Sequence, residues 1–576
     1  MNLDFRNTNA LWCSVAAETL WRAGVRHAVI SPGSRNTPLT LALVAHPGIA
    51  TTPVLDERSA AFFGLGIAKR TGAPVVLLCT SGSAGAHYLP ALIEARESGT
   101  PLIAITADRP PELRDCASGQ TIDQQKLFGS TVVFYHELAV PEAKGEMLRY
   151  LRQTLRQAVE RAQADGPVHL NAPFRDPLPP IADGTADALA DAVDWAEFFT
   201  QPAEVAASAA TREILPPEFW GKKGLVVAGA GWDDGTMASA YGAALGWPVL
   251  ADALSGARLG GGADAAVIAA YDAILRDARA CTELRPEAVV VFGEWPTSKV
   301  LRGWLASVDA PTVQCSPLAG NRDGLHGRTR ALRAGPGEVV KTPSAGVPCA
   351  ADWAARWSRA EAAAQAVFAA MAETARDFEG SFTRVLAGAL GAGRTLFVSS
   401  SMPVRDLEYF SAVRTAWPRV LANRGANGID GILSTALGVA HDGQPVVLLT
   451  GDLALLHDTN GFLSAPRLRG SLTVVVVNNA GGGIFGHLPI ANFNPPFEEY
   501  WATPQTVDFA GLCAAYGLAH TRVATPEELA ARLLAQVGEP GVRMIEIRTA
   551  RAQDVAARKH WLAAAGEAAG RALVLG

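Results

Sequence analysis

The chain reads Pro445-Val446-Val447-Leu448-Leu449-Thr450-Gly451-Asp452-Leu453 and, one helix length later, Leu472-Thr473-Val474-Val475-Val476-Val477-Asn478-Asn479. Each apolar run is short enough to be a buried strand of a parallel sheet. The residues between them, His457 to Arg469, can form the helix that crosses over from one strand to the next. Asp452 and the asparagine pair then lie at the carboxyl ends of neighbouring strands, where open parallel sheets bind ligands.

The residues at this edge of the sheet have the oxygen ligands that a cation site needs. One carboxylate, one amide oxygen and one backbone carbonyl suit a hard cation such as Mg²⁺ that also holds phosphate oxygens. The structural alternative is an aspartate that caps a helix and an asparagine pair in a turn. Because Gly-Asp and Asn-Asn each follow their own Val/Leu run, the pattern favours the cation site.

Length and composition indicate a large globular protein. A chain of 576 residues exceeds what one core supports, so three domains are expected. A net charge of −6 without a basic run argues against nucleic acid as a partner. The seven cysteines form no C-x-x-C pair and their number is odd, which argues against a disulfide framework. With no signal peptide and no apolar run of transmembrane length, we expect a cytoplasmic protein without a membrane span.

Apolar runs and helical patterns divide the chain into three blocks. Alternation of strands with helices throughout predicts an α/β protein whose three domains have parallel sheets flanked by helices. The predicted domains are residues 1–180, 211–345 and 350–576, with a linker from Asp176 to about Ala210 and a Gly/Pro-containing stretch from Gly335 to Pro348. In the middle block, Gly229-Ala230-Gly231 follows a strand but lacks the third glycine of a dinucleotide site, so we interpret it as a structural turn.

In the first block, polar loops follow several of the predicted strands. Ser31 to Pro38 follows a strand and opens a helix, a place where anions bind backbone N–H groups. Thr80 to Gly85 and Ala107 to Leu113 follow two more strands. Asp56 and Glu57 begin a long apolar helix, where acidic residues are usually helix caps. Loops of this kind on one segment predict a binding site along one edge of the first sheet.

These runs, taken together, resemble a known family. Gly451-Asp452 followed by Asn478-Asn479 is similar to the thiamine diphosphate motif Gly-Asp-Gly…Asn-Asn, with Leu453 in place of the third glycine. The runs Ser31 to Pro38 and Thr106 to Leu113 resemble the 2-succinyl-5-enolpyruvyl-6-hydroxy-3-cyclohexene-1-carboxylate synthases of menaquinone biosynthesis. The resemblance covers almost the whole chain and is weakest in the middle block.

The resemblance implies a pyrimidine-binding domain first, a central Rossmann-like domain without cofactor, and a diphosphate-binding domain last. It implies thiamine diphosphate and Mg²⁺, or Mn²⁺, as cofactors, held between the first domain of one subunit and the last domain of another. The protein would then be a homodimer or homotetramer. In such a family Glu57 is the catalytic carboxylate that activates the cofactor. The implied cofactor-binding residues are Glu57, Ser81, Gly82, Ile429, Gly451, Asp452, Leu453, Asn479, Ile484 and Phe485. The implied metal ligands are Asp452, Asn479 and Gly481.

The implied reaction decarboxylates 2-oxoglutarate and adds the resulting succinyl carbanion equivalent to isochorismate. Both substrates are dicarboxylates, which arginine pairs with in bidentate fashion. The implied substrate-binding residues are Ser34, Arg35, Arg109, Gln120, Lys299, Ser401, Arg405 and Arg424. The family often has Asn where Gly119 stands, so this chain lacks one polar side chain beside Gln120.

Two alternatives remain open at this point. Another thiamine diphosphate-dependent decarboxylase or carboligase, similar to acetolactate synthase, would share the cation motif but would need fewer basic residues for its substrate. A non-enzymatic thiamine diphosphate-binding subunit would share the fold. The presence of Glu57, Asp452 and Asn479 argues against the second alternative.

Overall fold

The computed structural model describes residues 3–200, 212–232, 235–259, 265–334, 340–341, 349, 352–414, 416–441 and 443–574. Among these residues the strands are, in chain order, β1 (His27–Ile30), β2 (Ala50–Pro53), β3 (Val75–Cys79), β4 (Leu102–Asp108), β5 (Phe134–Glu137), β6 (Val168–Pro173), β7 (Arg212–Glu213), β8 (Gly224–Ala228), β9 (Val249–Ala251), β10 (Val267–Ile268), β11 (Ala288–Phe292), β12 (Thr312–Ser316), β13 (Thr329–Arg333), β14 (Val340–Lys341), β15 (Thr395–Val398), β16 (Arg419–Leu421), β17 (Pro445–Gly451), β18 (Ser471–Asn478), β19 (Ala519–Val523) and β20 (Gly541–Arg548).

The α-helices of the same residues are α1 (Thr8–Arg22), α2 (Thr37–Ala45), α3 (Glu57–Thr71), α4 (Leu89–Ser98), α5 (Gly145–Asp165), α6 (Ala188–Ala192), α7 (Trp195–Phe198), α8 (Thr236–Leu245), α9 (Tyr271–Ile274), α10 (Ala278–Glu283), α11 (Lys299–Val308), α12 (Asp352–Thr374), α13 (Glu379–Leu390), α14 (Met402–Phe410), α15 (Ile432–Ala440), α16 (Asp452–Leu456), α17 (Phe509–Ala515), α18 (Pro526–Gln536) and α19 (Arg551–Val574). Short 3₁₀ helices, among them Gly82–Tyr88, Thr459–Arg467 and Gly483–His487, lie between them.

Three six-stranded sheets organise these elements, as the sequence predicts. The first has the order β2-β1-β3-β4-β6-β5, and the third, β16-β15-β17-β18-β20-β19, repeats that order strand for strand. The second, β10-β9-β8-β11-β12-β13, has the order 3-2-1-4-5-6 of a doubly wound Rossmann sheet. Every pairing in the three sheets is parallel. The α/β prediction and the Rossmann-like character of the central sheet are therefore confirmed.

Burial explains why the central strands are almost entirely apolar. Helices cover both faces of a parallel sheet, so each residue of β3 and the first seven residues of β18 are buried. In the third sheet β17 pairs with β18 in the register Leu448 opposite Val474. This register brings the residues that follow the two strands to the same edge of the sheet.

The chain forms two compact units. The first combines residues 1–206 with residues 423–443 and 457–470, so it contains the first sheet together with α15 and the 3₁₀ helix Thr459–Arg467. The second contains the central and third sheets. Apolar side chains of β1, β3, β4 and β6 form the core of the first unit with helices α1 and α5.

The order of the strands fixes where ligands can bind. In the first sheet the order reverses between β1 and β3, and in the third sheet between β15 and β17, and a crevice opens outside the carboxyl ends of such strands. The loop after β1 touches the loop after β3, because a Cβ at Gly33 would lie 2.2 Å from the Thr80 Cβ. The predicted site residues of both sheets follow these strands.

The central sheet differs at the corresponding point. Its order reverses between β8 and β11, and the loops that follow these two strands contact each other through their backbones. The Glu294 N–H donates to the Ala230 carbonyl at 3.0 Å, and a Cβ at Gly229 would lie 1.7 Å from the Glu294 carbonyl oxygen. This contact occupies the place where a Rossmann sheet holds a pyrophosphate, which agrees with our interpretation of Gly229-Ala230-Gly231 as a structural turn.

Two local predictions were wrong. Instead of one helix from His457 to Arg469, the crossover consists of α16 followed by the 3₁₀ helix Thr459–Arg467, whose last turn contains Pro466, a residue without an N–H to donate. The described part of the predicted linker contains α6 and α7, and Phe198 and Phe199 pack in the core of the first unit. Asp194 caps α7 by accepting the N–H groups of Ala196 and Glu197. Residues 201–210 of that linker, and most of the stretch from Gly335 to Pro348, lie outside the described residues.

Candidate active site

Asp452 anchors the loop that follows β17. Its Oδ2 accepts the Gly481 N–H at 2.8 Å and its Oδ1 accepts the Leu453 N–H at 2.7 Å, so the loops after β17 and β18 are joined directly. Only 4% of Asp452 is exposed, and this burial raises its pKa to about 6. A buried carboxylate held by two backbone N–H groups is a suitable ligand for a cation, because the positive charge offsets the cost of burying the negative one.

Asn479 has a buried oxygen without a partner. Its Nδ2 donates to Glu379 Oε2 at 3.4 Å, whereas Oδ1 has no hydrogen-bond partner among the described residues. Buried polar atoms are almost always paired, so an orphaned carboxamide oxygen points to a ligand. The third predicted ligand, the Gly481 carbonyl, accepts the Gly483 N–H at 2.9 Å and retains a second lone pair. These residues fit a hard divalent cation.

Only glycine fits at position 481. Its φ of +136° lies in the region that favours glycine, and a Cβ there would lie 2.4 Å from the Ala502 carbonyl oxygen.

The described residues hold no group of three His, Cys, Asp or Glu side chains that could bind a metal. A metal in this loop would therefore depend on the amide and carbonyl oxygens in addition to Asp452.

A buried charge network lies behind the metal loop, and sequence patterns did not reveal it. Arg558 of α19 donates through Nε and Nη2 to Asp406 of α14, at 2.7 and 2.8 Å. Its Nη2 also contacts Glu379, and its Nη1 donates to the His487 ring at 2.9 Å. Burial and the positive charge of Arg558 lower the pKa of His487 to about 4, so the neutral ring accepts this bond. Asp554 accepts the Glu379 N–H at 3.1 Å.

This network connects several elements that carry predicted site residues. Asp406 follows Arg405 on α14, and Arg405 donates to the carbonyl of Ser401 at 2.6 Å. Ser401 has a φ of +74°, a strained conformation for a non-glycine residue. Ile484 and Phe485 lie half-buried in the 3₁₀ helix Gly483–His487, directly after the metal loop. Leu453 and Gly451 are half-buried beside Asp452.

Glu57 begins α3 in the first unit. Asp56 caps the helix by accepting the N–H groups of Arg58 and Ser59, and its second oxygen accepts Asn460 Nδ2 at 2.7 Å. Burial alone would raise the pKa of Asp56, but these three hydrogen bonds together lower it. Asp56 therefore provides the cap, and Glu57 is not needed for it. Burial, with a smaller contribution from the Glu57 charge, raises the pKa of Cys79 at the end of β3 to about 12, which places Glu57 near that strand end.

The loops after β3 and β4 form a polar cluster. Arg109 Nη1 donates to Ser81 Oγ and, at 3.1 Å, to the Gln120 carbonyl. Gln120 Nε2 in turn donates to the Ser81 carbonyl at 3.0 Å. Burial lowers the pKa of Arg109, and the nearby positive charge of Arg35 lowers it further. Two like charges this close favour an anion between them.

Arg35 is itself almost fully buried, with 9% of its surface exposed. Its Nη1 donates to the Phe174 carbonyl at 3.0 Å, but its buried Nε has no hydrogen-bond partner among the described residues. Asp176 lies 3.8 Å away and is largely exposed. Ser34 is exposed at the start of the same loop. A buried guanidinium with an unused N–H is a suitable partner for a carboxylate of a ligand.

A second polar network, also not predicted from the sequence, supports this cluster. Gln124 Oε1 accepts the Gly82 N–H at 2.8 Å, and its Nε2 donates to Asn171 at 2.9 Å. Asn171 donates to Asp108 at 2.9 Å, which also accepts the Arg109 N–H. The Ser81-Gly82 turn is thereby fixed relative to the Arg109 loop.

The remaining predicted residues are Arg424, Ile429 and Lys299. The loop with Arg424 and Ile429 belongs to the first unit, where Glu94 accepts the N–H groups of Gly425 at 3.0 Å and Ala426 at 2.7 Å. Lys299 is exposed at the first position of α11 in the second unit. The structure thus brings Ser81, Gly82, Arg109 and Gln120 together in one unit, and Asp452, Asn479 and Gly481 in the other.

Family models match most of the chain. A thiamine pyrophosphate enzyme N-terminal TPP-binding domain matches residues 14–127, a middle domain of thiamine pyrophosphate enzymes matches residues 189–398, and a C-terminal TPP-binding domain matches residues 412–547. Thiamine pyrophosphate is another name for thiamine diphosphate. The first and last models cover Glu57, Asp452 and Asn479.

Curated relatives match almost the whole length. The 2-succinyl-5-enolpyruvyl-6-hydroxy-3-cyclohexene-1-carboxylate synthase of Synechococcus elongatus is 46% identical over 97% of this chain and 96% of its own. The synthase of Synechococcus sp. strain JA-3-3Ab is 47% identical over 97% of both chains, and that of Gloeothece citriformis is 44% identical over 96% of this chain and 98% of its own. The chain belongs to this synthase family.

A solved structure supports the same fold for this member of the synthase family. Benzoylformate decarboxylase from Polynucleobacter necessarius superposes with a TM-score of 0.65, over 94% of this chain and 98% of that one, at 16% identity. Among the described residues, no helix combines the length and the apolarity needed to cross a bilayer. The family is a thiamine diphosphate enzyme family, so the prediction of an enzyme is confirmed.

Proposed function

We propose that this enzyme decarboxylates 2-oxoglutarate with thiamine diphosphate and joins the remaining succinyl unit to isochorismate. The product is 2-succinyl-5-enolpyruvyl-6-hydroxy-3-cyclohexene-1-carboxylate, and the step belongs to menaquinone biosynthesis. The observation that carries this proposal is the match to synthases of that name over 97% of the chain. The match favours this reaction over an acetolactate synthase-like one, and it includes both the metal loop and the arginine cluster.

The cofactor site follows from the residues of the two carboxyl-end edges. Asp452, Asn479 and Gly481 would hold Mg²⁺, with Mn²⁺ as an alternative, and the cation would bind the diphosphate. When bound, thiamine diphosphate stabilises the carbanion that decarboxylation leaves. Ser81, Gly82, Ile429, Gly451, Leu453, Ile484 and Phe485 would line the cofactor.

Glu57 has the position of a proton-transfer group in this proposal. Its carboxylate begins α3 next to the end of β3, and Asp56 rather than Glu57 caps the helix. The side chain is half-buried, and its role in the proposal is to transfer a proton at the cofactor.

Cationic side chains would select the substrates. Arg35 and Arg109 form a pair of neighbouring positive charges, and the unused Nε of Arg35 could bind a carboxylate. Ser34, Gln120, Ser401, Arg405, Arg424 and Lys299 complete the proposed set. A dicarboxylic donor and a dicarboxylic acceptor would satisfy these charges, whereas pyruvate lacks the distal carboxylate.

The domain organisation is part of the proposal. We assign residues 1–180 to pyrimidine binding, 211–345 to the central domain and 350–576 to diphosphate binding. The active protein would be a homodimer or homotetramer in a cytoplasmic setting, with each cofactor between the first domain of one subunit and the last domain of another. Sedimentation of the purified protein with and without cofactor tests the oligomeric state.

An assay with both substrates tests the reaction. Purified protein is incubated with thiamine diphosphate, Mg²⁺ and 2-oxoglutarate, with and without isochorismate, while CO₂ release and isochorismate absorbance are measured. We expect isochorismate to disappear only when 2-oxoglutarate is present, and pyruvate to replace 2-oxoglutarate poorly. Faster turnover with pyruvate, or indifference to isochorismate, would overturn the proposal in favour of another carboligase.

A further inference from the structure

We propose that Glu379 is a positioning residue of the metal site: it determines which end of the Asn479 carboxamide faces the cation. The inference rests on the proposed function, because it requires Asn479 to be a metal ligand. Glu379 itself is not a ligand in that assignment and lies at the first position of α13, a hundred residues before Asn479.

The geometry gives Glu379 two distinct partners. Its Oε1 contacts Nη2 of Arg558, and its Oε2 accepts Nδ2 of Asn479 at 3.4 Å. Glu379 is 3% exposed and Asn479 is 9% exposed, so water competes little for these groups. The N–H of Glu379 donates to Asp554, which fixes the start of the helix.

The chemistry of the two side chains then sets the orientation. A carboxamide has one end that only accepts and one end that only donates, and Glu379 Oε2 is the acceptor of this contact. The NH₂ end of Asn479 must therefore face Glu379, and Oδ1 must face away from it, where it has no partner among the described residues. Arg558 donates to the other oxygen of the same carboxylate, so that oxygen is already in use. A carboxamide turned the other way would present NH₂ to a cation, which is repulsive.

Gly483 leaves space for the NH₂ end of Asn479. A Cβ at Gly483 would lie 2.9 Å from Nδ2 of Asn479, so the glycine allows the carboxamide its place against Glu379. Because the two orientations of a carboxamide have the same shape, the choice between them depends on its hydrogen-bond partners, and the partner of the NH₂ end is Glu379.

The decisive variant is Glu379→Gln, which keeps the shape of the side chain. Arg558 can only donate, so the introduced glutamine must turn its oxygen towards Arg558 and its NH₂ towards Asn479. Asn479 then has to accept with Oδ1 and presents NH₂ to the metal position. We expect the dissociation constant for Mg²⁺ to rise by about 10–100-fold, the range for residues that orient metal ligands. Calorimetric titration with thiamine diphosphate at a series of Mg²⁺ concentrations measures this constant without relying on turnover.

Asp554→Asn is the matched control. Asp554 is 2% exposed and belongs to the same buried network, but it contacts the Glu379 N–H and not Asn479. The substitution removes a carboxylate from the same region and keeps an acceptor oxygen. We expect its dissociation constant for Mg²⁺ to stay within about threefold of the unmodified protein, well below the 10–100-fold effect of a lost orienting group. An equal rise in both variants would mean that lost charge, and not amide orientation, is responsible, and would overturn the inference.

A rescue variant distinguishes orientation from general damage. In Glu379→Gln combined with Asn479→Asp, the introduced carboxylate has two accepting oxygens, one for the glutamine NH₂ and one for the cation. We expect the double variant to recover most of the Mg²⁺ affinity that Glu379→Gln loses. A double variant no better than Glu379→Gln contradicts the inference. Melting curves show whether each variant folds. If Glu379→Gln alone does not fold, the double variant still tests the inference. A folded double variant that binds Mg²⁺ about 10-fold more weakly than the unmodified protein rejects the inference.

Failure of the inference and failure of the proposed function give different results. If the unmodified protein binds thiamine diphosphate equally well without Mg²⁺, the metal assignment is wrong and the role of Glu379 falls with it. If the unmodified protein needs Mg²⁺ and Glu379→Gln needs no more of it, the metal assignment stands and only the orienting role is rejected.

Discussion

Gly438 lies in α15, at the point where this helix crosses α3. The crossing leaves no room for one methyl group, so we expect Gly438→Ala to destabilise the protein. A Cβ at Gly438 would lie 2.0 Å from the Phe63 carbonyl oxygen and 3.1 Å from the Gly66 Cα. Both neighbours are backbone atoms of α3, so no side-chain rotation can relieve the clash. The same helix begins with Glu57, which means that a shift of α3 would also move the proposed proton-transfer group.

The expected magnitude follows from the size of that clash. Cβ atoms essentially never approach another heavy atom closer than 3.0 Å, so the two helices must separate by about 1 Å. A gap of that size forfeits a quarter to a half of each dispersion contact of about 0.15 kcal/mol, which over roughly 40 atom pairs amounts to about 1.5–3 kcal/mol. Replacing Gly by Ala in a helix contributes about 0.8–1 kcal/mol in the opposite direction. The clash wins, with a net loss of about 0.5–2 kcal/mol.

Thermal melting of the cofactor-free protein measures this loss. For a folding unit of roughly 150–250 residues, about 0.5–2 kcal/mol corresponds to a fall of about 1–8 °C in the first melting transition. Gly303→Ala is the matched control, because Gly303 is exposed inside α11 and a Cβ there would meet no atom within 4 Å. The control should melt at the same temperature or slightly higher. Should Gly438→Ala melt at or above the unmodified protein, the close backbone contact would be disproved.

Three further predictions concern the site. Glu57→Gln should retain thiamine diphosphate binding by calorimetry and lower kcat by roughly 10²-fold or more, the scale of general acid–base assistance; near-normal turnover would remove Glu57 from that role. Asp452→Ala should abolish thiamine diphosphate binding at low Mg²⁺ because the bridging cation loses its carboxylate, and unchanged affinity would contradict the metal assignment. Arg109→Ala should raise KM for one of the two substrates by roughly 30-fold or more, since an unpaired buried carboxylate costs about 2–5 kcal/mol. Arg175→Ala, in an exposed pair with Glu112, should change neither KM.

Features that follow from the ends of strands could be predicted from the sequence. The strands Val75–Cys79, Gly224–Ala228 and Ala288–Phe292 each coincide with an unbroken apolar run of the sequence, because such a run in a parallel sheet is also the buried part of the strand. Asp452 lies against the loop of Asn479 for the same reason, since neighbouring parallel strands end at one edge. The roles proposed for these residues remain predictions.

Features that depend on contacts between distant helices could not be predicted. Glu379, Asp406 and Arg558 come from three different helices, and each appears in the sequence as an ordinary polar position. Glu379 and Arg558 are 179 residues apart, and local periodicity contains no information about that pairing. The same limitation applies to Gln124, whose partners are Gly82 in the loop after β3 and Asn171 in β6. The pairing of the buried Arg558 with Asp406 becomes recognisable only after the helices are packed.

The composition of the first unit has a consequence for how the protein is made. Residues Ser59 to Ala68 of α3 are buried without interruption, and one side of this helix is covered by α15. A ribosome synthesises α15 roughly 360 residues after α3, which at about 5–20 residues per second takes roughly 20–70 s. During that interval the surface of α3 that α15 covers, including Gly66, stays exposed on the nascent chain. The first sheet can form early, but the unit is completed only in the last third of translation, and this helix surface is a natural place for a chaperone to bind.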